Sequence, residues 1–365
     1  MVLASSILLF FLILFTLWNG ISMPKLKGKH TDGRLVSVLV PMRDEEKNVP
    51  GLISSLKTIT YENVEIILLD DGSSDCTNHV ASELIKDDQR FTLIKGIQLP
   101  EGWVGKVHAC HLLSKEAKGD FLFFLDADVR ISKSVIEECF YLMKKYQSAL
   151  ISGFAHFPTK PILAKLLVPF QHYFVFGLLP VHFANHTTWK NFTAAHGGFM
   201  FFNRNVYEQV GGHESVKENL VEDITFAKRL KKFGYRVTLA NISNKVTCNM
   251  YSTNKDVWQG FLKNIYLGMG KNPFVVIGFT LFYSLLYVVP VPLFIIGLIT
   301  KSVDFLVPLC LVFIQSILID RFTKGEFLHF LLTPIATICM LILLWSSMIK
   351  NVKGKAYEWK GRNYI

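Results

Sequence analysis

The chain has 365 residues, of which 50% are hydrophobic and 19% are charged, and its mean hydropathy is positive. This composition argues against a purely soluble enzyme, and the length allows a catalytic domain of about 230 residues together with membrane-spanning segments. The formal net charge is +10. Because the basic residues lie beside apolar runs and no nucleic-acid-binding module accompanies them, we expect membrane lipid and no nucleic acid as a partner.

The chain begins with an apolar run over residues 2–18, and its basic residues, from Lys25 to Arg34, come only afterwards. A cleaved signal peptide carries its positive charge first, so residues 1–22 are predicted to be an uncleaved transmembrane anchor that holds the downstream domain in the cytoplasm. A cleaved signal is the alternative. The six cysteines are scattered and form no C-x-x-C pair, which favours a reducing compartment.

Strand and helix patterns alternate in the next part of the chain. Short β-branched or aromatic runs predict strands at 35–40, 64–69, 91–94 and 121–125. Between them, helical periodicity predicts a helix ending near 57, another beginning near 77 and a third over 108–117. This alternation predicts a parallel, three-layer α/β domain, which we place at residues 35–245.

The strand predicted at 121–125 ends in Asp126-Ala127-Asp128. In an extended backbone, residues i and i+2 point to the same side, so both carboxylates can face one spot. Two carboxylates at a strand end suit a hard divalent cation, Mg²⁺ or Mn²⁺, that carries a phosphate, and open α/β sheets bind ligands beyond the carboxyl ends of their strands. Taken alone, such a pair also fits a simple strand end or helix cap.

Two other stretches place charge where chemistry needs it. Lys106 enters a helix from a glycine-bracketed loop, where its ammonium group can reach a diphosphate; a solvated lysine is the alternative. Glu222 and Asp223 open a predicted helix that runs to about Phe233. A carboxylate there can accept the proton of an attacking hydroxyl group, or it can merely stabilise the helix dipole.

Five motifs carry a family resemblance. They are Pro41-x-x-Asp44-Glu45, Asp70-Asp71-Gly72-Ser73, Gly105-Lys106, Asp126-x-Asp128 and Glu222-Asp223, and they cover about residues 35–240 in order. The chain resembles the inverting family 2 glycosyltransferases of GT-A fold, which use nucleotide sugars.

The resemblance implies a role for each motif. Glu45 and Asp71 would contact the nucleoside, and Lys106 would lie near the diphosphate. Asp126 and Asp128 would hold the metal on the phosphates. Asp223, with Glu222 beside it, would be the catalytic base.

Within this family, the chain looks like the membrane-bound carotenoid glucosyltransferases, which add a sugar to a C30 carotenoid acid. The likeness lies in the ending Tyr357–Tyr364, the loop Gly105–Ala109 and the turn Gly211-Gly212-His213. Gly212 and His213 are therefore candidates for contact with the acceptor. The Q-x-x-R-W motif of processive members is not present, which argues against a polymer synthase.

The resemblance predicts transfer of a hexose, glucose from UDP-glucose in the first instance, to a lipophilic acceptor, a C30 carotenoid acid. A glycolipid or polyprenyl-phosphate glycosyltransferase is the alternative within the same enzyme class. From a different class, a degenerate transferase domain would only bind nucleotide or scaffold a pathway in the membrane. The intact acidic positions at every motif argue against that scaffold.

The rest of the chain is predicted to lie in or on a membrane. Residues 161–183 are expected to form an interfacial helix or to pack in the core. Residues 250–272 are predicted to be an amphipathic interfacial helix, with packing on the domain as the alternative.

Residues 273–349 are predicted to be a transmembrane region, with clear spans at 274–300 and 327–349. The run at 305–319 is short. If it spans, the basic tail, 350–365, lies outside, against the positive-inside rule; if it is re-entrant or interfacial, which we prefer, the tail returns to the cytoplasm. The prediction is a multi-pass cell-membrane protein whose catalytic domain is cytoplasmic.

Overall fold

The structure, a computed structural model, describes residues 2–326, 328–354 and 357–364. They divide into two compact units. The helical unit comprises the chain up to Ser22, Thr159–Pro180, and the chain from Tyr251 onward. The sheet unit comprises Met23–Pro158 and Val181–Met250.

The strands, in chain order, are β1 Val36–Met42, β2 Val64–Asp70, β3 Phe91–Lys95, β4 Phe121–Leu125, β5 Val129–Ile131, β6 Ser148–Phe154, β7 Phe199–Asn203, β8 Arg236–Asn241, β9 Val246–Cys248, β10 Tyr357–Trp359 and β11 Arg362–Tyr364. The helices are α1 Val2–Ser22, α2 Val49–Lys57, α3 Thr77–Ile85, α4 Gly105–Glu116, α5 Val135–Tyr146, α6 Ile162–Leu167, α7 Phe170–Leu178, α8 Val181–His186, α9 Arg204–Gln209, α10 Glu222–Lys232, α11 Asn254–Gly268, α12 Pro273–Tyr283, α13 Pro290–Thr300, α14 Val307–Thr323 and α15 His329–Val352.

The sheet unit is built on a seven-stranded sheet of order β3-β2-β1-β4-β7-β6-β8. Strands β1 to β4 are parallel, as the alternation predicted, so their carboxyl ends share one edge, which we call the carboxyl edge. The sheet is nevertheless mixed, because β7 runs antiparallel to both β4 and β6. The predicted parallel arrangement therefore holds for β1 to β4 but does not extend to β7, whose apolar run carries no signal of strand direction.

Aromatic side chains fill both faces of β4, which explains its continuous apolar run. On one face, Phe121 lies 4.8 Å (ring centroid to centroid) from Phe140 of α5. On the other face, Phe124 packs on Phe202 of β7, and Phe202 packs on Phe226 of α10 at 5.0 Å. Helices therefore cover both faces of the sheet, and the predicted three-layer α/β architecture is confirmed.

In the described part of the chain, four helical stretches are long and apolar enough to cross a membrane: Val2–Ser22, Pro273–Thr300, Val303–Thr323 and His329–Val352. The third includes the run predicted at 305–319. It reaches 21 residues because a 3-10 turn, Val303–Phe305, precedes α14 and because α14 continues through Asp320 and Arg321, polar residues at which the apolar pattern stops. The second contains a π-helical turn at Ser284–Val288, directly before Pro290.

Helix α11 begins with a capping box between Thr253 and Asp256. One end of its predicted apolar stripe, including Tyr266, packs within the helical unit against Val276 of α12 and Leu344 of α15. Packing between helices therefore explains why part of the apolar stripe is apolar. The interfacial placement of α11 stays a prediction.

Buried polar side chains join the apolar helices. Gln315 of α14 is fully buried, accepts a hydrogen bond from the Tyr287 hydroxyl at 2.8 Å and donates one to the Thr16 hydroxyl of α1 at 3.2 Å. Interhelical hydrogen bonds of this kind typically contribute about 0.6–2 kcal/mol each.

We expect Gln315→Leu to lower the unfolding free energy of the detergent-solubilised protein by about 1–3 kcal/mol, because it leaves two buried hydroxyl groups without partners. Thermal unfolding followed by circular dichroism measures the effect. Ile314→Leu is the matched control, since Ile314 is the preceding residue and is 46% exposed. Equal melting temperatures for the two variants would contradict the prediction.

Candidate active site

The loops after β1 and β2 are joined to each other at the carboxyl edge. Backbone N–H groups of the first loop donate to side chains of the second: Asp44 to Ser73 Oγ at 3.0 Å, and Glu45 to Thr77 Oγ1 at 2.7 Å. In return, the Ser74 N–H donates to Asp44 Oδ1 at 2.7 Å. Asp44 adopts a positive φ of 51° within this arrangement. Several motif residues therefore shape the loops and need not touch a ligand.

The two predicted nucleoside residues lie on these loops. Asp71 is buried directly after β2, and a methyl group placed on Gly96, after β3, would come within 3.3 Å of Asp71 Oδ1. Glu45 accepts a hydrogen bond from the Asn48 side chain at 2.7 Å. Both carboxylates thus lie at the carboxyl edge, as the strand pattern predicted. Their contact with a nucleoside stays a prediction.

Lys106, the second residue of α4, joins two acidic elements. Its Nζ lies 2.8 Å from Asp126 Oδ1, after β4, and 3.2 Å from Glu222 Oε1, at the start of α10. Burial acts to lower the pKa of Lys106, but the charges of Asp126 and Glu222 outweigh it and hold that pKa well above its usual value. The ammonium group therefore remains charged and links the strand end to the helix start.

The Cys248 thiol of β9 donates a hydrogen bond to Asp128, with Sγ 3.4 Å from Oδ1. Burial, together with the negative charges of Asp126 and Glu45, raises the pKa of Asp128 from 3.8 to about 7. Negative charge is therefore in excess around this carboxylate, although Lys106 neutralises part of it. A cation would relieve that excess.

The donor set fits a hard divalent cation that completes its coordination with phosphate oxygens and water. Asp126 and Asp128 are both partly exposed and supply oxygen ligands. Within residues 2–326, 328–354 and 357–364, no group of three or more His, Cys, Asp or Glu side chains is arranged to hold a metal ion. Protein ligands alone would thus provide only part of the shell.

Asp223 lies in the first turn of α10. Its Oδ2 accepts the Gly197 N–H at 2.8 Å, and its Oδ1 accepts the Ile224 N–H at 2.7 Å. Burial, and next the charge of Glu222, raise the pKa of Asp223 from 3.8 to about 7. A carboxyl group with such a pKa is suited to exchange a proton near neutral pH.

The segment His196-Gly197-Gly198 lies among these charged groups because Phe199 of β7 pairs with Leu125 at the end of β4. A methyl group on Gly197 would lie 3.1 Å from Glu222 Oε1 and 3.2 Å from Lys106 Nζ. One on Gly198 would lie 3.3 Å from Asp126 Oδ2. The sequence signal for this segment is weak, because it consists only of a pair of glycines before an apolar run.

The structure places His213 in the core and not among the polar groups at the carboxyl edge. It is 2% exposed, and its Nδ1 lies 2.7 Å from the Tyr207 hydroxyl. Burial lowers the pKa of His213 from 6.5 to about 3, so the ring is neutral. Gly212, at φ 53°, lies against the Tyr207 ring. These contacts favour a structural role for Gly212 and His213 over the predicted contact with an acceptor.

Comparisons with known proteins agree with this geometry. Residues 37–211 match the family described as Glycosyl transferase family 2. The matched stretch contains β1 to β4 with their loops, Lys106, both metal-ligand candidates and the Gly197-Gly198 segment, and it ends before α10.

The chain is similar to two curated relatives that share one name, 4,4'-diaponeurosporenoate glycosyltransferase. It is 26% identical over 250 residues to the protein of Staphylococcus haemolyticus and 24% identical over 253 residues to that of Staphylococcus aureus. Each match covers 67% of this chain and 64% of the relative's length. The predicted resemblance to carotenoid glycosyltransferases is confirmed.

Among solved structures, the mannosyltransferase PcManGT of Pyrobaculum calidifontis, in complex with GDP-Man and Mn²⁺, is similar with a TM-score of 0.55. The match covers 97% of this chain and 100% of that one, at 14% sequence identity. The similarity confirms the predicted GT-A fold.

We expect Gly197→Ala to reduce sugar transfer by about 10²-fold, because displacing catalytic groups by about an ångström costs that much. The new methyl group would press on Lys106 and Glu222. Gly268→Ala is the matched control, since a methyl group there meets nothing within 4 Å. Turnover of a radiolabelled nucleotide sugar measures both variants. Unchanged turnover in Gly197→Ala would show that the close approach is not needed.

Proposed function

We propose that this protein is an inverting, metal-dependent glycosyltransferase that moves glucose from UDP-glucose to a lipophilic acceptor, first of all a C30 carotenoid acid. We also propose that it is a multi-pass cell-membrane protein whose catalytic domain faces the cytoplasm. The observation that carries the proposal is the convergence of Asp126, Lys106, Glu222 and Asp223 at the carboxyl edge of the sheet unit. The relatives' name supports the choice of acceptor.

Donor binding would use the loops after β1, β2 and β4. Glu45 and Asp71 lie on the first two loops and would contact the nucleoside. Asp126 and Asp128 would hold a Mg²⁺ or Mn²⁺ ion on the diphosphate. When bound, the cation neutralises charge on the leaving diphosphate. The positions of these carboxylates at the carboxyl edge agree with where open α/β sheets bind ligands.

Lys106 would assist departure of the diphosphate. Its ammonium group lies between Asp126, which would bind the donor through the metal, and Glu222 in the first turn of α10, the helix that carries the proposed base Asp223. A fixed positive charge there stabilises the negative charge that develops on the leaving group.

Asp223 would act on the acceptor. In one in-line displacement, the acceptor oxygen forms a bond to the sugar's anomeric carbon while that carbon's bond to the diphosphate breaks. The electron pair leaves with the diphosphate, and the proton of a hydroxyl acceptor passes to Asp223. A single displacement inverts the anomeric configuration. The hydrogen bond from Gly197 holds one carboxylate oxygen in a fixed orientation.

The course of the chain supports a lipophilic acceptor. Segments of the sheet unit that lead to the apolar helices leave it at the carboxyl edge. Residue Asn249 donates its N–H to the Asp128 carbonyl at 2.9 Å, shortly before the chain enters the helical unit at Tyr251. Pro24, which follows α1, accepts the N–H of Asn241 at the end of β8. An acceptor dissolved in a membrane agrees with the composition of the four long apolar helical stretches in the described part of the chain.

A second acceptor class has support from Asp223. A carotenoid acid is already ionised at neutral pH and needs little help from a base. A carboxyl group with a pKa of about 7 suits a hydroxyl acceptor better. Transfer to a hydroxyl group, as in glycolipid synthesis, is therefore the second candidate function. A polyprenyl phosphate stays an alternative acceptor, but its phosphate is already ionised and gains no support from the pKa of Asp223.

Lipid extracts from a host that makes a C30 carotenoid acid test the proposal. Expression of this chain should produce a pigment heavier by one hexose, detected by mass spectrometry, and Asp128→Asn should abolish it through loss of the metal site. A new hexosylated lipid with unchanged pigment would move the acceptor to the second candidate. If the folded, membrane-inserted protein yields no new glycolipid, a nucleotide-binding scaffold replaces the enzyme.

Asp223→Asn reports on the acceptor type. Transfer to a hydroxyl group should fall by about 10²–10⁴-fold, the usual contribution of a general base, while donor binding is retained. Transfer to a carboxylate should fall far less. Isothermal titration with UDP, beside turnover of each acceptor, separates loss of the base from loss of donor binding. A variant that also fails to bind UDP would contradict the assignment of Asp223.

The pH dependence follows from the raised pKa of Asp223. Below about pH 7 its carboxyl group is protonated and cannot accept a proton, so kcat for a hydroxyl acceptor should rise with pH and level off above about 7. Glu222→Gln removes a negative neighbour, which lowers the pKa of Asp223 and should move the rising limb to lower pH. Glu83→Gln, on the exposed side of α3, should leave it in place. If the rising part of the kcat–pH profile stays at the same pH in Glu222→Gln, the charge of Glu222 does not raise the pKa of Asp223.

A further inference from the structure

An aromatic surface of the sheet unit lies outside the predicted reaction site. The segment Phe183–Phe192, which we call the aromatic segment, exposes 45% of Phe183 and 61% of Trp189. Their rings meet through Phe192, at 6.5 Å and 5.8 Å between centroids. Lys190 is exposed among them, and the sequence from Val181 to Ala195 contains no acidic residue.

Buried polar contacts hold the aromatic segment in place. Asn185, 1% exposed, exchanges two hydrogen bonds with the Leu239 backbone of β8, at 3.0 and 2.8 Å. Lys231 of α10 is also buried, and its Nζ donates to the carbonyls of Ala184 at 2.5 Å and Phe192 at 2.6 Å. Burial of an ammonium group is costly unless it is well hydrogen-bonded. The exposed rings therefore stand on a fixed support.

The composition of the aromatic segment matches a bilayer interface. Tryptophan and lysine concentrate at the headgroup level of membranes, where an apolar ring and a polar or charged tip are both accommodated. The chain enters the segment from Pro180, the last residue of a stretch that belongs to the helical unit with the four apolar helices.

Basic residues adjoin the same strand. Lys25 forms a parallel bridge with Asn241, two residues beyond Leu239 on β8. Lys25, Lys27 and Lys29 are all exposed. Lysines close to a bilayer are attracted by anionic lipids. Lys25 and the aromatic segment thus both adjoin the edge strand β8, and aromatic and basic groups are the combination that an anionic bilayer surface attracts.

We propose that the aromatic segment inserts its rings into the headgroup region of a lipid bilayer, and that Lys231 positions it there. Lys231 lies in the last turn of α10, whose first turn contains Glu222 and Asp223. Bilayer contact at one end of this eleven-residue helix therefore fixes the carboxylates at the other end, about 15 Å away, relative to the membrane. The proposal goes beyond the reaction and does not depend on the sugar or the acceptor.

The test uses the full chain in vesicles of phosphatidylcholine and phosphatidylglycerol. A polarity-sensitive fluorophore is attached at Trp189→Cys, in a background where the exposed Cys76 and Cys310 are serine. Leu84→Cys is the matched control, because Leu84 is also exposed but lies on α3, which packs at the β3 end of the sheet. A quencher attached to lipid headgroups should quench the label at 189 several-fold more than the label at 84.

Equal quenching at the two positions overturns the proposal. Shielding of the label at 189 that also appears in detergent and grows with protein concentration overturns it in favour of a second copy of the chain. Lys231→Met should reduce quenching at 189, whereas Lys232→Met, at the exposed neighbouring residue, should not. Unchanged quenching in Lys231→Met removes the positioning role of Lys231 and leaves the bilayer contact to be decided by the label at 189.

Discussion

One ammonium group, that of Lys106, connects the elements on which the site depends. Without it, the carboxylates of Asp126 and Glu222 would bring further uncompensated negative charge to a region where Asp128 and Asp223 already have raised pKa values. Like charges held this close destabilise each other, so the lysine stabilises the approach of the strand end to the helix start. Gly197 and Gly198 allow the same charged groups to come close, because a side chain at either position would occupy the space between them.

The sequence predicted the parallel part of the site well, for a physical reason. Parallel strands end at one edge, so acidic residues placed directly after β1, β2 and β4 must come close together, whatever their separation in the chain. The same reasoning could not place residues that depend on strand direction. The antiparallel course of β7 brings His196 and Gly197 to Asp223, and an apolar run alone gives no direction.

His213 shows the second limit. A histidine in a glycine-rich turn looks exposed, but its burial depends on Tyr207, which supplies the hydroxyl partner, and on rings from β4 and α10. The membrane part shows a third limit. The run at 305–319 looked too short because hydropathy stops at Asp320, whereas helical hydrogen bonding continues through it to Thr323. A hydropathy pattern reports only where the apolar residues are. The helix ends where its backbone hydrogen bonds end, and these can continue through a few polar residues.

The sheet unit consists of two stretches of chain, separated by Thr159–Pro180. This division determines when, during synthesis, its sheet can be completed. β4 completes its pairing only with β7, and β6 only with β7 and β8, so the first stretch emerges from the ribosome with strands whose partners do not yet exist. Domains generally fold as units, and unpaired strand edges are prone to aggregate until then. The aspartates after β4 are therefore synthesised long before the helix that carries Asp223 and the strand that carries Cys248. The nascent chain therefore lacks part of the candidate site, the first turn of α10 with Glu222 and Asp223, until nearly all of the sheet unit has been translated.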